Sequence, residues 1–139
     1  MQDQRIAEES LHCCRLLEVI ESMSEKIVFL FGWGPEEVGR ASSLLYLVET
    51  ASSIDVEVRV FLYSEGVVLA RTGIAERMDQ EIGERFKRLL ENKKVKFHAC
   101  SEAAHKIGIN EKDLVPAISM IGYAAFLDMA MEAKTVITV

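Results

Sequence analysis

Apolar positions along the chain recur in two rhythms, one helical and one extended, and the two alternate. From Arg5 to about Met23, residues Ile6, Cys13, Leu16, Leu17, Ile20 and Met23 fall at helical spacing against Glu8, Glu9, Arg15, Glu18 and Glu21, which predicts an amphipathic helix. The run Lys26–Phe31 (KIVFLF) is short and mostly apolar and ends at Gly32-Trp33-Gly34-Pro35, the pattern of a buried strand feeding a turn. Pro35 suits the first turn of a helix over Glu36–Ala51, whose Val38, Ala41, Leu44, Leu45 and Val48 share one face and whose acids sit at its positive end. A second strand is predicted over Val56–Leu62, closed by Ser64-Glu65-Gly66, while 67–70 fits neither rhythm. A helix follows over Glu76–Leu90 with Met78, Ile82, Phe86 and Leu89 in line, then a strand over Lys94–Ala99 and a short helix over Ser101–Ile107. Val115–Ile121 reads as a fourth strand despite Pro116, Gly122–Ala133 as a strongly apolar helix, and Thr135–Val139 as a last strand.

Strand–helix alternation of this kind implies an α/β fold with a parallel sheet, because parallel neighbours need a crossover and the crossover is normally right-handed. Ligand and catalytic groups then belong in the loops at the carboxyl ends of the strands. Those loops hold Gly32–Pro35, Ser64–Gly66, Cys100 and Met120–Gly122. The Gly122–Ala133 helix is apolar around most of its circumference, which implies burial on more than one side, either as an internal helix or against another subunit.

Composition narrows the function classes. The 139 residues, 50% hydrophobic and 27% charged with two prolines and eight glycines, suit one folded domain. The net charge of −6, with basic residues scattered among acids, argues against nucleic-acid binding. The polar, acidic N-terminus lacks the apolar core of a secretory signal. The most apolar stretch, Leu114–Leu127, is broken by Pro116, Ser119 and Gly122 and stops at Asp128, too short for the roughly 20 residues a bilayer crossing needs. Three cysteines, an odd number without an export signal, suit reduced thiols and a cytoplasmic location rather than a disulfide framework.

Cys100 is the leading candidate for chemistry. It ends one predicted strand and opens one predicted helix, so unpaired backbone N–H groups and the positive end of a helix dipole would face its sulfur and favour the nucleophilic thiolate. The competing reading, a small buried hydrophobe, is the ordinary one for a cysteine chosen blindly, and the strand-to-helix position favours function. Ser101 and His105 follow Cys100, and His98 precedes it with its orientation on the strand left open. Cys13 and Cys14, beside His12, lack zinc-type spacing: neighbouring helical residues point about 100° apart, so these read as packing residues. The stretch from Gly34 to Ala41 superficially resembles a phosphate loop but has Arg40 for the lysine, Ala41 for the hydroxyl residue, and Glu36 and Glu37 where phosphate would sit. Trp33 in that loop suits either a cleft wall or simple packing.

The segments KIVFLFGWGPEEVGRASSLL, VRVFLYSEGVVL, ACSEAAHKIGI and GYAAFLDMAMEAKTVITV, in this order, resemble the DsrE/DsrF-like family, which includes the TusD-type sulfur-relay proteins. The most informative element is Cys100 followed by Gly108, with Ala103 and Ala104 between. The resemblance covers about residues 26–139 and leaves 1–25 as a helical extension outside the family core. It implies a three-layer α/β/α domain with a five-stranded parallel sheet, homo- or hetero-oligomers such as trimers or hexamers, and a cysteine that carries a persulfide. Carried over by position, that cysteine is Cys100; the strand-end loops and the neighbours of Cys100 in sequence supply Gly32, Trp33, Gly34, Ser64, Glu65, Gly66, His98, Ser101 and His105 as candidate lining of its site. The implied partners are sulfur-donor and sulfur-acceptor proteins such as rhodanese-like or TusA-like carriers, and the implied chemistry needs no metal, nucleotide or other cofactor. Two alternatives stand beside sulfur relay: a thiol redox enzyme or sensor resolved by Cys13, Cys14 or an external thiol, and a non-catalytic assembly subunit with an inert Cys100.

Overall fold

The structure is a computed structural model that describes residues 25–139. The helix expected over residues 5–23, with Cys13 and Cys14, lies outside the described residues. The five strands are β1 (Lys26–Phe31), β2 (Glu57–Leu62), β3 (Val95–Cys100), β4 (Ser119–Ile121) and β5 (Thr135–Thr138). Between them run α1 (Val38–Ser53), a 3-10 segment (Ser64–Ala70), α2 (Ile74–Arg77), α3 (Gln80–Glu91), α4 (Ser101–Lys106), a 3-10 turn (Glu111–Asp113) and α5 (Tyr123–Glu132).

All strand pairs are parallel and the sheet order is β4-β3-β2-β1-β5. From β1 to β4 the chain steps one way across the sheet, so right-handed crossovers place α1, α3 and α4 on one face. The return from β4 to β5 crosses in the opposite sense and puts α5 on the other face. The aromatic pairs report both layers. Phe97 meets Phe86 of α3 edge-on at 5.3 Å, whereas Phe61 stacks on Phe126 of α5 at 4.4 Å. Register explains the split, since Phe97 lies beside Val60 in one inward row and Phe61 beside His98 in the next, and alternate strand residues face opposite sides.

The core lies under α1 and α3, where Leu44, Leu45, Val48, Ile82, Phe86 and Leu89 close over Phe29, Phe31, Val58, Val60 and Leu62. These strands read as continuous apolar runs because both of their faces are covered along much of their length.

Three expectations are corrected and one unassigned stretch is resolved. The first long helix begins at Val38 rather than Glu36, because Pro35 and Glu36 sit in a turn closed by the Glu37 N–H on the Gly34 carbonyl at 3.1 Å. Glu76–Leu90 is two helices: Asp79 caps the second, accepting the Glu81 N–H at 3.1 Å, and interrupts the first. The unclassified 67–70 belongs to the 3-10 segment. The fourth strand shrinks to Ser119–Ile121: Val115 donates to the Ala70 carbonyl, Ile118 turns back on Val115, and Pro116 has no N–H for a ladder.

Candidate functional site

The carboxyl ends of the strands gather the loops that the alternation pointed to. At the end of β1, Gly32 lets the Tyr63 ring lie over the backbone; a Cβ at Gly32 would be 2.9 Å from Tyr63 Cζ. Tyr63 donates its N–H to the Phe31 carbonyl at 3.0 Å and accepts from the Gly66 N–H at 2.8 Å, which folds the 3-10 segment back onto the end of β1. Ser64 in this corner has a left-handed φ of 49°. Such a conformation in a non-glycine residue costs on the order of 1–3 kcal/mol and holds only where surrounding contacts enforce it. The Ser64 hydroxyl donates to the Glu65 carboxylate, and this bond, followed by one from the Glu65 backbone, holds that carboxyl below its ordinary pKa.

Cys100 is the last residue of β3 and the N-cap of α4, with φ −68° and ψ 120°. Its side chain is fully buried, at 0% exposure. The helix has six residues and no side-chain cap, so its first N–H groups point back toward the Cys100 end. Tyr123 is the first residue of α5. Hydrogen bonding with the Cys100 side chain, then the charge of that group, holds the Tyr123 phenol above its ordinary pKa.

Two clefts flank α4. One, about 400 Å³, is lined by Tyr63, Ser64, Glu65, Ala103, Lys106, Ile107 and Tyr123. The other, about 380 Å³, is formed by Ser101, His105, Met120 and Gly122 with neighbouring residues of the loop before β4. Cys100 sits at the root of the helix between them and lines neither.

The structure brings Ser64 and Glu65 into the first cleft and Ser101 and His105 into the second, with Gly32 and Gly66 buttressing the Tyr63 corner. Trp33 and Gly34 line neither cleft. Trp33 is 40% exposed with the Arg40 guanidinium 3.9 Å above its ring, and Gly34 lies against the Glu36 carboxylate. His98 shares the Cys100 face of β3 by alternation, yet its Nδ1 pairs with Ser119 Oγ at 2.7 Å and it faces a cleft at the end of α3. Its Nε2 is buried without a hydrogen-bond partner. Burial first, then the charges of Arg59 and Lys96, hold the imidazole below its ordinary pKa, so near neutral pH it is uncharged. Sequence reasoning missed Tyr63, Lys106 and Tyr123. The available signal was Gly122-Tyr123 at a strand-to-helix junction, equivalent in the sheet to Cys100-Ser101 one strand away.

Among the described residues no cluster of three or more His, Cys, Asp or Glu side chains could hold a metal ion, and no helix is long and apolar enough to cross a membrane.

Three solved structures have the same fold. A protein of unknown function, MTH1491 from Methanobacterium thermoautotrophicum, is 20% identical with a TM-score of 0.68, over 84% of this chain and 100% of that one. The ychN protein from E. coli is 19% identical with a TM-score of 0.67, over 83% and 99% of the two chains. The conserved protein BT1422 of unknown function from Bacteroides thetaiotaomicron is 13% identical with a TM-score of 0.61, over 84% and 98%. No curated protein sequence matches this chain. The DsrE/DsrF-like family model matches residues 25–139, the whole of the described domain with its parallel sheet and Cys100 corner. The chain therefore belongs to the DsrE/DsrF-like family, which is associated with sulfur relay.

Proposed function

We propose that the protein is a sulfur-relay protein in which Cys100 accepts sulfane sulfur, holds it as a persulfide and passes it to a thiol of a partner protein. The observation that carries this reading is the placement of Cys100 at the carboxyl end of β3 and at the root of α4. In the first step the Cys100 thiolate attacks the outer sulfur of a donor persulfide. The donor S–S bond breaks, the donor leaves as a thiolate, and Cys100 carries the new S–S bond. In the second step an acceptor thiolate attacks that outer sulfur and Cys100 leaves as a thiolate. Sulfur moves at constant oxidation balance, so neither step requires an oxidant or a cofactor. Tyr123 as a retained donor and the first N–H groups of α4 stabilise the anionic sulfur at both stages.

The donor and acceptor fitting this chemistry are carrier proteins that present a cysteine on a mobile end, rhodanese-like or TusA-like, with the Tyr63–Tyr123 cleft as the approach. Because Cys100 is fully buried, sulfur transfer requires that the residues over it move aside. Incubation with polysulfide or thiosulfate is expected to add the mass of sulfur to the wild type and not to Cys100→Ser. Absence of the adduct in the wild type, or its persistence in Cys100→Ser, removes the proposal.

The complete burial of Cys100 favours one second reading, a non-catalytic assembly subunit with an inert thiol. Iodoacetamide alkylation of the native protein separates the two: a Cys100 that resists alkylation at neutral pH until the protein unfolds supports the assembly reading.

A further inference from the structure

Strand β4 closes the outer side of the Cys100 corner on few contacts. It is an edge strand of three residues, and its whole register with β3 is His98 with Ser119, Ala99 with Met120 and Cys100 with Ile121. The chain is anchored before β4 by Ile118, 5% exposed, and after it where Phe126 stacks on Phe61. Between those anchors β4 passes directly into α5. Ile121 lies beside Cys100, a Cβ at Gly122 would be 3.7 Å from Ser101 Oγ, and the Tyr123 hydroxyl interacts with the Cys100 side chain.

Among the described residues one side-chain hydrogen bond ties β4 to β3, His98 Nδ1 with Ser119 Oγ at 2.7 Å. It joins a directly opposed pair, and alternation puts both residues on the face that carries Cys100 and Ile121 two positions along. The histidine is unfavourable where it stands. Its Nε2 is buried with no hydrogen-bond partner among the described residues, and burial, Arg59 and Lys96 all oppose a charge on the ring. An apolar residue of similar size would avoid that desolvation. What the imidazole supplies instead is the bond to β4.

We propose that His98 and Ser119 are positioning residues for Cys100: their bond latches β4 to β3, and its release lets the β4–α5 junction, residues 119–123, move off the thiol. The proposal rests on the reading of Cys100 as the reacting sulfur, and it names the part of the chain that moves when a fully buried thiol meets its partner. Losing one neutral hydrogen bond raises the open population by about twofold to tenfold. A buried thiol that reacts only when open is modified in proportion to that population.

The test compares the full wild-type chain with Ser119→Ala, Ser119→Thr and His98→Leu. Iodoacetamide modification of Cys100 at neutral pH, read by peptide mass, is expected to speed by about twofold to tenfold in Ser119→Ala and in His98→Leu. The double variant should be no faster than either, because both changes remove the same bond, and Ser119→Thr, which keeps the hydroxyl, should stay near the wild-type rate. Amide exchange across residues 119–123 should speed by the same factor while exchange in β1 is unchanged. Unchanged exchange at 119–123 in both single variants overturns the proposal. A rise matched in β1 overturns it as well, since the pair is then a general stabiliser. The exchange arm does not depend on sulfur: polysulfide uptake by the wild type with unaltered exchange in the variants removes the latch alone, and altered local exchange without any uptake supports the latch and removes the sulfur-relay reading.

Discussion

Replacing Gly66 by alanine tests whether the Tyr63 corner is set by backbone contact. A Cβ at Gly66 would overlap the Phe31 carbonyl oxygen and come within 3.1 Å of its carbon and 3.3 Å of Gly32 Cα. All three are backbone atoms at the end of β1, in a strand bonded on both sides, so none can swing aside as a side chain could. The 3-10 segment must lift instead, which strains the bonds from Tyr63 to Phe31 and from Gly66 to Tyr63. Burying one methyl contributes about 0.8 kcal/mol. Overpacking costs about 1–3 kcal/mol, and here the clash is with backbone, so a net loss of about 2 kcal/mol is expected. Urea unfolding followed by circular dichroism should show the midpoint falling by roughly 1 M at an unchanged slope. Gly39→Ala is the matched control, since a Cβ there meets nothing within 4 Å in α1 and should stabilise by about 1 kcal/mol. Equal stability of Gly66→Ala and the wild type, with Gly39→Ala behaving as expected, would refute the close-approach argument.

Tyr123→Phe keeps the ring and removes the hydroxyl that interacts with Cys100, so alkylation of Cys100 at neutral pH should slow by about tenfold to a hundredfold, the worth of one hydrogen bond to a charged group; an unchanged rate means the hydroxyl does not act on the thiolate. His98 has a folded pKa below its unfolded one, so as pH falls through the unfolded value of about 6.5 the unfolded chain binds the proton first and stability drops. Unfolding midpoints should therefore decline from pH 7 to 5, and His98→Gln should flatten that decline; a slope unaltered by His98→Gln assigns it to other groups. Phe61→Ala, at 1% exposure and stacked on Phe126, should cost about 3–5 kcal/mol and loosen α5, measured by denaturant unfolding; a loss under about 1 kcal/mol would mean that face is not closed by this stack.

What the sequence determined by itself is local. The bounds of β1 and the ends of β2, β3 and β5 lie within one or two residues of the expected ones, because runs such as KIVFLF and VKFHAC have an extended apolar rhythm and stop at residues that break it. The alternation of elements also made the sheet parallel and put Cys100 at a strand end, since both follow from order along the chain. Where a nearby residue competed with a periodic run, the sequence reading overshot: Pro116 shortened β4, and the Asp79 cap divided a helix that Met78, Ile82 and Phe86 made look continuous. Tertiary structure alone decided the rest. Only the packing of α5 on Phe61 brings Tyr123 to the Cys100 sulfur, 23 residues along the chain, and only the β3–β4 register gives His98 to Ser119 instead of to Cys100. Periodicity states that a helix has an apolar face, but contacts between distant residues decide what that face meets. The apolar circumference of α5 is the clearest case: its spacing was readable from the chain, while its exposure on the open side of the sheet came from the topology of the β4–β5 return.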